Sequence, residues 1–220
     1  MGSWAAEALV RSGVGQITVV DSDIVDVTNI NRQIQALPGT VGHPKATVLM
    51  KRLLEINPYC GVTAITQVFS RETAVLFGIE KADYVLDAID SLHSKLDLIQ
   101  FVIEAQRPVL FSSMGMASRL DPAKLKITDV WDTSGCPLAR LVRQGLKKRG
   151  FTGHFTAVYS NEAIIPPQET IYETGPNGKK QLNGSTVTVT AAAGMILASL
   201  VIKDVFYKNT SAETIRESHG

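Results

Sequence analysis

Residues 19–46 read VVDSDIVDVTNINRQ, then IQALPGT, then VGHPKA. A β-branched apolar run closes on Asp21, with a second acid at Asp23. Asn31, Arg32 and Gln33 follow, and Lys45 comes directly after a Gly-His-Pro turn. A carboxylate at a strand end can accept hydrogen bonds from ribose hydroxyls. A fork-shaped guanidinium and a point-charge ammonium can both hold phosphate. The stretch therefore reads as one strand with an acidic end, one polar loop and the start of one helix, and it offers groups for ribose hydroxyls and for phosphate.

Working outward, residues 4–12 carry Trp4, Ala5, Ala8 and Leu9 on one helical face, with Gly13 as a stop. Residues 16–21 form a continuous apolar strand of the kind found in parallel sheets. Residues 43–57 are helical, with Ala46, Leu49, Met50, Leu53 and Leu54 as the apolar stripe and Pro58 closing it. Strands are expected at 62–66, 83–88 and 108–113, a short helix at 71–77, and a helix from a Ser91 cap to about residue 105. Strands alternate with helices up to residue 113, which predicts an α/β fold with a Rossmann-like, mostly parallel sheet flanked by helices. Beyond it the spacing predicts an antiparallel strand at 125–130, a loop at 131–135, a helix at 138–149 and a strand at 155–159. Residues 166–184, rich in Gly, Pro and Asn, read as a mobile loop. Residues 187–207 read as an apolar, mostly helical segment. Its strongly apolar part is shorter than a bilayer requires and ends in Lys203 and Asp204, so a helix buried in the core or in a dimer seam is expected.

The 220 residues suit one domain, with residues 1–113 as the nucleotide-binding core and 114–220 as an extension carrying substrate-side elements. A chain of this size buries roughly 70% of its unfolded surface and needs no metal or disulfide to fold. With 22 basic and 21 acidic residues, the net charge of +1 excludes nucleic-acid binding by bulk electrostatics, so any such surface is local. Two cysteines, Cys60 and Cys136, make no disulfide framework and point to a reducing, cytoplasmic or organellar, compartment. No CxxC pair is present, so zinc is not expected. Cys136 lies in a Gly-bearing loop, either as an incidental exposed thiol or as a thioester-forming or sulfur-carrying one.

The order and spacing of the 19–46 set resemble the nucleotide site of the ubiquitin-activating-type adenylyltransferases. The downstream run PLARLVRQGLKKRG, with FTAVYSNEA and IPPQ after it, resembles the tRNA threonylcarbamoyladenosine dehydratases within that superfamily. The resemblance implies ATP as co-substrate. Asp21 would take the ribose hydroxyls, and Asn31, Arg32 and Lys45 the triphosphate, with Gln33 beside them. In LDAIDSLHSK, Asp87 and Asp90 match the superfamily's Asp-x-x-Asp, and Asp90 fits the acid that holds Mg²⁺ near the reacting phosphate. Ser91 and Lys95 depart from the superfamily's Asn and Arg. Gly2 and Ser3 read as the end of a glycine-rich phosphate loop. The strand and further glycines that precede such a loop are not written here. The expectation is therefore an N-terminally truncated chain with weakened ATP binding, lacking the superfamily's phosphate-contacting Arg. The helix at 138–149 places Arg140, Arg143 and Lys147 on one face with Lys148 nearby, either an ordinary solvated face or a contact for the tRNA backbone. The implied partners are tRNA carrying threonylcarbamoyladenosine and a second copy in a homodimer. Two other readings stand beside this one: an adenylyltransferase for the C-terminus of a ubiquitin-like sulfur carrier, using Cys136, and a non-catalytic partner subunit.

Overall fold

The computed structural model describes residues 1–166, 172–175, 178–181 and 184–217, with side chains described through 166 and over 184–210. Helix α1 (Gly2–Arg11) buries Ala5, Ala6, Leu9 and Val10 and stops before Gly13, whose φ of 87° L side chains rarely adopt. Strand β1 (Gln16–Val20) pairs in parallel with β2 (Gly61–Ile65), Gln16 opposite Gly61 and Val20 opposite Ile65. Between them runs helix α2 (Lys45–Ile56), which turns Ala46, Leu49 and Leu53 inward. Those side chains meet Ala6, Val10, Val19 and Cys60, so α1 and α2 cover one face of the β1–β2 pair. Glu7 ties the two helices: Arg52 Nε donates to its Oε2 at 2.6 Å and Arg11 Nε to its Oε1 at 2.9 Å.

A second sheet has the order β3–β4–β6–β5. Strands β3 (Tyr84–Asp87), β4 (Val109–Ser113) and β6 (Thr156–Ser160) are parallel, while β5 (Leu125–Asp129) is antiparallel to β6. Helices α3 (Leu92–Ala105) and α4 (Pro137–Lys148) fill one face with Leu96, Ile99, Val102, Val142 and Leu146. Helix α5 (Val187–Glu217) packs Val189, Ala193, Leu197 and Val201 on the other face, against Phe111 and Val158. The same cluster contains Ala5 and Leu9, so α1 belongs to both layers and joins the two strand sets. No hydrogen-bonded ladder links β1 to β3 among the described residues.

Two contacts fix α5. Tyr84 donates its hydroxyl to Asp204 Oδ2 at 2.7 Å. Gly194 lies so close to α1 that a Cβ there would sit 2.6 Å from the Met1 carbonyl oxygen and 2.8 Å from Trp4 Cβ. The segment Val187–Thr210 is long and apolar enough to cross a membrane, but Val189, Ala193, Leu197 and Ala198 are almost wholly buried against the sheet and α1.

The structure differs from the sequence expectations in four places. The helix expected at 43–57 starts at Lys45, because Pro44 has a non-helical ψ of 128° and the turn ahead of it carries Gly42 at a φ of 86°. The expected helix at 71–77 is a single 3-10 turn, Ala74–Phe77. Ser91 stands at the N-cap of α3, but its hydroxyl makes no capping bond. Within the loop expected at 166–184, β7 (Tyr172–Gly175) and β8 (Gly178–Gln181) form an antiparallel hairpin, while 167–171, 176–177 and 182–183 lie outside the described residues.

Candidate active site at the carboxyl ends of β1 and β3

Strand β1 runs straight into Asp21, whose N–H still bonds to the Ile65 carbonyl at 3.1 Å. The Asp21 side chain is half-buried and accepts the Asp23 N–H on Oδ1 at 3.0 Å. Burial is the main force pushing its carboxyl above the usual aspartate range. The Asp23 N–H and Lys45 pull it down, and the Asp23 and Asp90 carboxylates push it up. Asp90, two strands of chain later, is therefore an electrostatic neighbour of Asp21.

Lys45 opens α2 with its side chain only 9% exposed, and Nζ lies 2.8 Å from Asp23 Oδ2. Its N–H also bonds to the Asp23 carbonyl at 2.9 Å, so two bonds fold the 21–26 loop back onto the helix start. Arg32 sits on the neighbouring turn. Its Nη1 donates to the Thr28 carbonyl at 2.6 Å and to Asn31 Oδ1 at 3.0 Å. Trp4 Nε1 donates to the Arg32 carbonyl at 3.0 Å, which ties this turn to α1. Asn31 Nδ2 donates to the Ser185 carbonyl at 2.8 Å and joins the turn to the approach of α5. Gln33 accepts from Gln35 Nε2 at 3.1 Å. The remaining N–H groups of Arg32 have no hydrogen-bond partner among the described residues.

Gly2 places the first turn of α1 against the end of β3: a Cβ on Gly2 would lie 3.2 Å from Ala88 Cβ. The α1 N-terminus, with its unpaired N–H groups and positive dipole end, thus lies against the chain that leads from β3 to Asp90. Asp90 is exposed, and its carboxylate has no hydrogen-bond partner among the described residues. The structure brings Gly2, Asp21, Arg32, Lys45 and Asp90 to one end of the molecule, with Asn31 and Gln33 on the turn that carries Arg32. Among the described residues there is no cluster of three or more His, Cys, Asp or Glu side chains suited to a metal ion. Mg²⁺ needs only one or two carboxylates when phosphate oxygens and water complete its shell, and the free carboxylate of Asp90 fits that requirement.

The Asp87–Lys95 pair escaped the sequence reading. Asp87 and Lys95 are both wholly buried, with Nζ 2.5 Å from Asp87 Oδ2. The separation of eight residues across a strand, a turn and a helix start carries no periodic signal. The hint was Lys95 standing where the superfamily pattern has Arg, which names no partner for it. Arg119, 2% exposed, is another buried cation; it donates to the Gly135 carbonyl at 3.0 Å and to the Glu162 carbonyl.

The basic helix divides. Arg143 is held by the Thr133 carbonyl and hydroxyl, so its guanidinium is structural and the face expected for it is not free. Arg140, Lys147 and Lys148 are exposed. Helix α4 starts with Cys136 Sγ 3.7 Å from the Gly115 carbonyl, just past the end of β4. It ends where Lys147 lies 5.8 Å over the Trp131 ring, whose Nε1 donates to the Gly153 carbonyl ahead of β6. Arg140 is thus near the carboxyl ends of the parallel strands. Lys147 and Lys148 lie about 10 Å further along the axis, at the opposite end. Cys136 is 4% exposed, which corrects its expected placement as a loop thiol open to a partner.

A model described as the ThiF family matches residues 1–217, and the chain belongs to that family. It is similar to the tRNA threonylcarbamoyladenosine dehydratase of Bacillus subtilis, 37% identical over 211 residues that cover 93% of this chain and 83% of the relative. The dehydratase of Escherichia coli is 35% identical over 94% of this chain and 83% of its own length. The crystal structure of that E. coli enzyme in complex with ATP superposes with a TM-score of 0.83, covering 96% of this chain and 84% of the other.

Proposed function

We propose that this chain is an ATP-dependent tRNA threonylcarbamoyladenosine dehydratase, acting as a single nucleotide-binding domain. The observation that carries the reading is the convergence of the α1 N-terminus, Asp21, Arg32, Lys45 and Asp90 beyond the carboxyl ends of β1 and β3, where open α/β sheets bind ligands. Its likeness to dehydratases at 35–37% identity names the substrate.

ATP lies with its ribose hydroxyls on Asp21 and its phosphates between the α1 N-terminus, Asn31, Arg32 and Lys45. The carboxylate of the tRNA nucleoside attacks the α-phosphorus, and the bond to pyrophosphate breaks. Arg32 and Lys45 neutralise the charge that grows on the leaving group, and losing one such donor costs roughly 3 kcal/mol of transition-state binding. Asp90, with phosphate oxygens, would hold Mg²⁺, which would supply Lewis-acid charge neutralisation there. The ureido nitrogen of the same modification then attacks the acyl-adenylate carbonyl, its proton leaves to solvent, and AMP departs as the ring closes. Water is lost from the nucleoside overall, with its oxygen carried off on AMP. Proximity supplies this second attack, so no protein nucleophile is needed. The burial of Cys136 agrees with that economy. We further propose a homodimer, a ligase dependent on Mg²⁺, and a reducing compartment, cytoplasmic or organellar. Arg140 is the residue of α4 best placed for tRNA.

The test is incubation with ATP, Mg²⁺ and tRNA bearing the modification, followed by mass spectrometry of the released nucleosides. Loss of one water, abolished in Asp90→Ala, is the expected result. An unchanged nucleoside, with pyrophosphate exchange appearing only when a ubiquitin-like protein is added, would transfer the site to sulfur-carrier activation. Absence of ATP binding would leave a partner subunit.

A further inference from the structure

The turn that presents Asp90 is built on a closed set of buried hydrogen bonds. Asp87, the last residue of β3, accepts the Ile89 N–H on Oδ1 at 2.9 Å. Its Oδ2 accepts from Ser112 Oγ at 2.6 Å and from Lys95 Nζ at 2.5 Å. Lys95 Nζ also donates to the Ser113 carbonyl at 3.0 Å, and Ser112 Oγ lies 3.5 Å away. Ser113 Oγ donates to the Asp87 carbonyl at 3.1 Å. At the other end of the turn, the Lys95 N–H bonds to the Ser91 carbonyl at 3.0 Å. One lysine therefore ties the tip of β3, the tip of β4 and the first turn of α3, and it grips the 88–91 turn from both sides.

A buried ion pair is a costly way to gain stability, because desolvation offsets most of the Coulomb attraction. What this pair gains is placement. Every polar atom in it is satisfied, whereas Asp90, one residue past the anchored Ile89, is exposed and unbonded among the described residues. The rigid part of the turn ends where the free carboxylate begins.

We propose that Lys95 is a positioning residue for Asp90: acting through Asp87 and the Ser113 carbonyl, it fixes the turn that holds the Asp90 carboxylate toward the nucleotide. This rests on the reading of Asp90 as the acid on the Mg²⁺ side of the phosphates. A displacement of about 1 Å at a reacting group costs on the order of 10²-fold in rate.

The test is a double-mutant cycle on the full chain with Lys95→Met, Asp90→Ala and the two together. It reads kcat, KM for ATP, the Mg²⁺ concentration giving half-maximal rate, and Tm. Asp90→Ala alone reports on Asp90: an unchanged rate there removes that reading and this proposal with it. With Asp90 established, Lys95→Met lowers kcat about 10²-fold and raises the Mg²⁺ midpoint, and the double variant is no slower than Asp90→Ala, as for residues acting as one unit. Losses that multiply, or a folded Lys95→Met with wild-type kcat and Mg²⁺ midpoint, would overturn it. If Lys95→Met does not fold, Asp87→Asn/Lys95→Met removes the pair without leaving a buried charge and takes its place in the cycle, read by the same criteria.

Discussion

Lys45 Nζ rests 2.8 Å from Asp23 Oδ2, while the Asp23 N–H bonds to Asp21 Oδ1 at 3.0 Å. One exposed acid thus connects the proposed ribose acceptor to the proposed phosphate lysine. Its carboxylate also opposes any phosphate brought to Lys45. To serve ATP, the ammonium has to exchange Asp23 for a phosphate oxygen. Asp23 is exposed while Lys45 is only 9% exposed, so solvent screens the pair from one side and it is worth on the order of 1 kcal/mol. Asp23→Asn is therefore expected to lower KM for ATP by up to about fivefold, with a Tm change of up to about 2–4 °C. A rise in KM would show instead that Asp23 holds Lys45 in its working position. Lys45→Ala gives the contrast: kcat/KM falls on the order of 10²-fold, since the phosphates lose a cationic donor.

The pH dependence of ATP binding follows from Asp21. Burial raises its carboxyl above the usual aspartate range in the folded chain. As pH falls, Asp21 takes up its proton before an ordinary aspartate does, and a neutral carboxyl is a poorer acceptor for ribose hydroxyls. KM for ATP should rise with acidification, beginning above the usual aspartate range, and Asp21→Asn should remove that dependence while keeping KM high. The same shift has a stability side. A raised folded-state pKa means that ionised Asp21 costs stability at neutral pH, and the cost is relieved as pH falls through that pKa. Asp21→Asn should accordingly raise Tm at pH 7 by a few degrees at most, at about 2–4 °C per kcal/mol for a chain of this size. A fall in Tm on this substitution would contradict the burial argument.

What was legible in the sequence was local. The run ending in Asp21 is a strand, Lys45 starts a helix, and the alternation to residue 113 is a parallel α/β unit. Each of these depends on periodicity, or on a turn next to the residue concerned. The partners of long polar side chains were not legible, because a helical wheel gives an angle and not a neighbour. Arg143 shares an arc with Arg140 and Lys147, but the Thr133 carbonyl happens to face it. Lys95 read as a departure from a pattern, and only the β4 tip revealed what it holds. The axial direction of α4 relative to the sheet is likewise tertiary information. It places Lys148 at the far end from the site that the helix was expected to serve.

Gly194 offers a test of how α1 is placed. A side chain there would drive into the Met1 carbonyl and Trp4, and Trp4 in turn holds the Arg32 carbonyl. The neighbouring atoms include backbone, so the strain cannot be relieved by a rotamer change alone. Gly194→Val should push the α1 N-terminus off the nucleotide site and loosen the Arg32 turn. Overpacking of this type costs about 1–3 kcal/mol. The expected outcome is a Tm loss of several degrees together with ATP affinity reduced tenfold or more, read by titration well below the new Tm. A variant that loses stability while binding ATP normally would separate α1 placement from the phosphate site.

The two arginines of α4 make opposite predictions for tRNA. Arg140 is exposed near the carboxyl ends of the strands, with no hydrogen-bond partner for its side chain among the described residues. Arg143 is bound to Thr133, which itself donates to the Val130 carbonyl at 2.7 Å at the base of the loop leading into α4. Arg140→Ala should weaken tRNA binding at low salt and reduce the slope of log affinity against log salt by about one contact, with Tm unchanged. Arg143→Ala should leave that slope alone and lower Tm instead, because two buried acceptors lose a charged donor worth about 1.5–3 kcal/mol. Lys147→Ala and Lys148→Ala test the reach of the bound tRNA. If it extends only over the catalytic end, their salt slopes match the unmodified chain, and a reduced slope in either would show that it runs the length of α4.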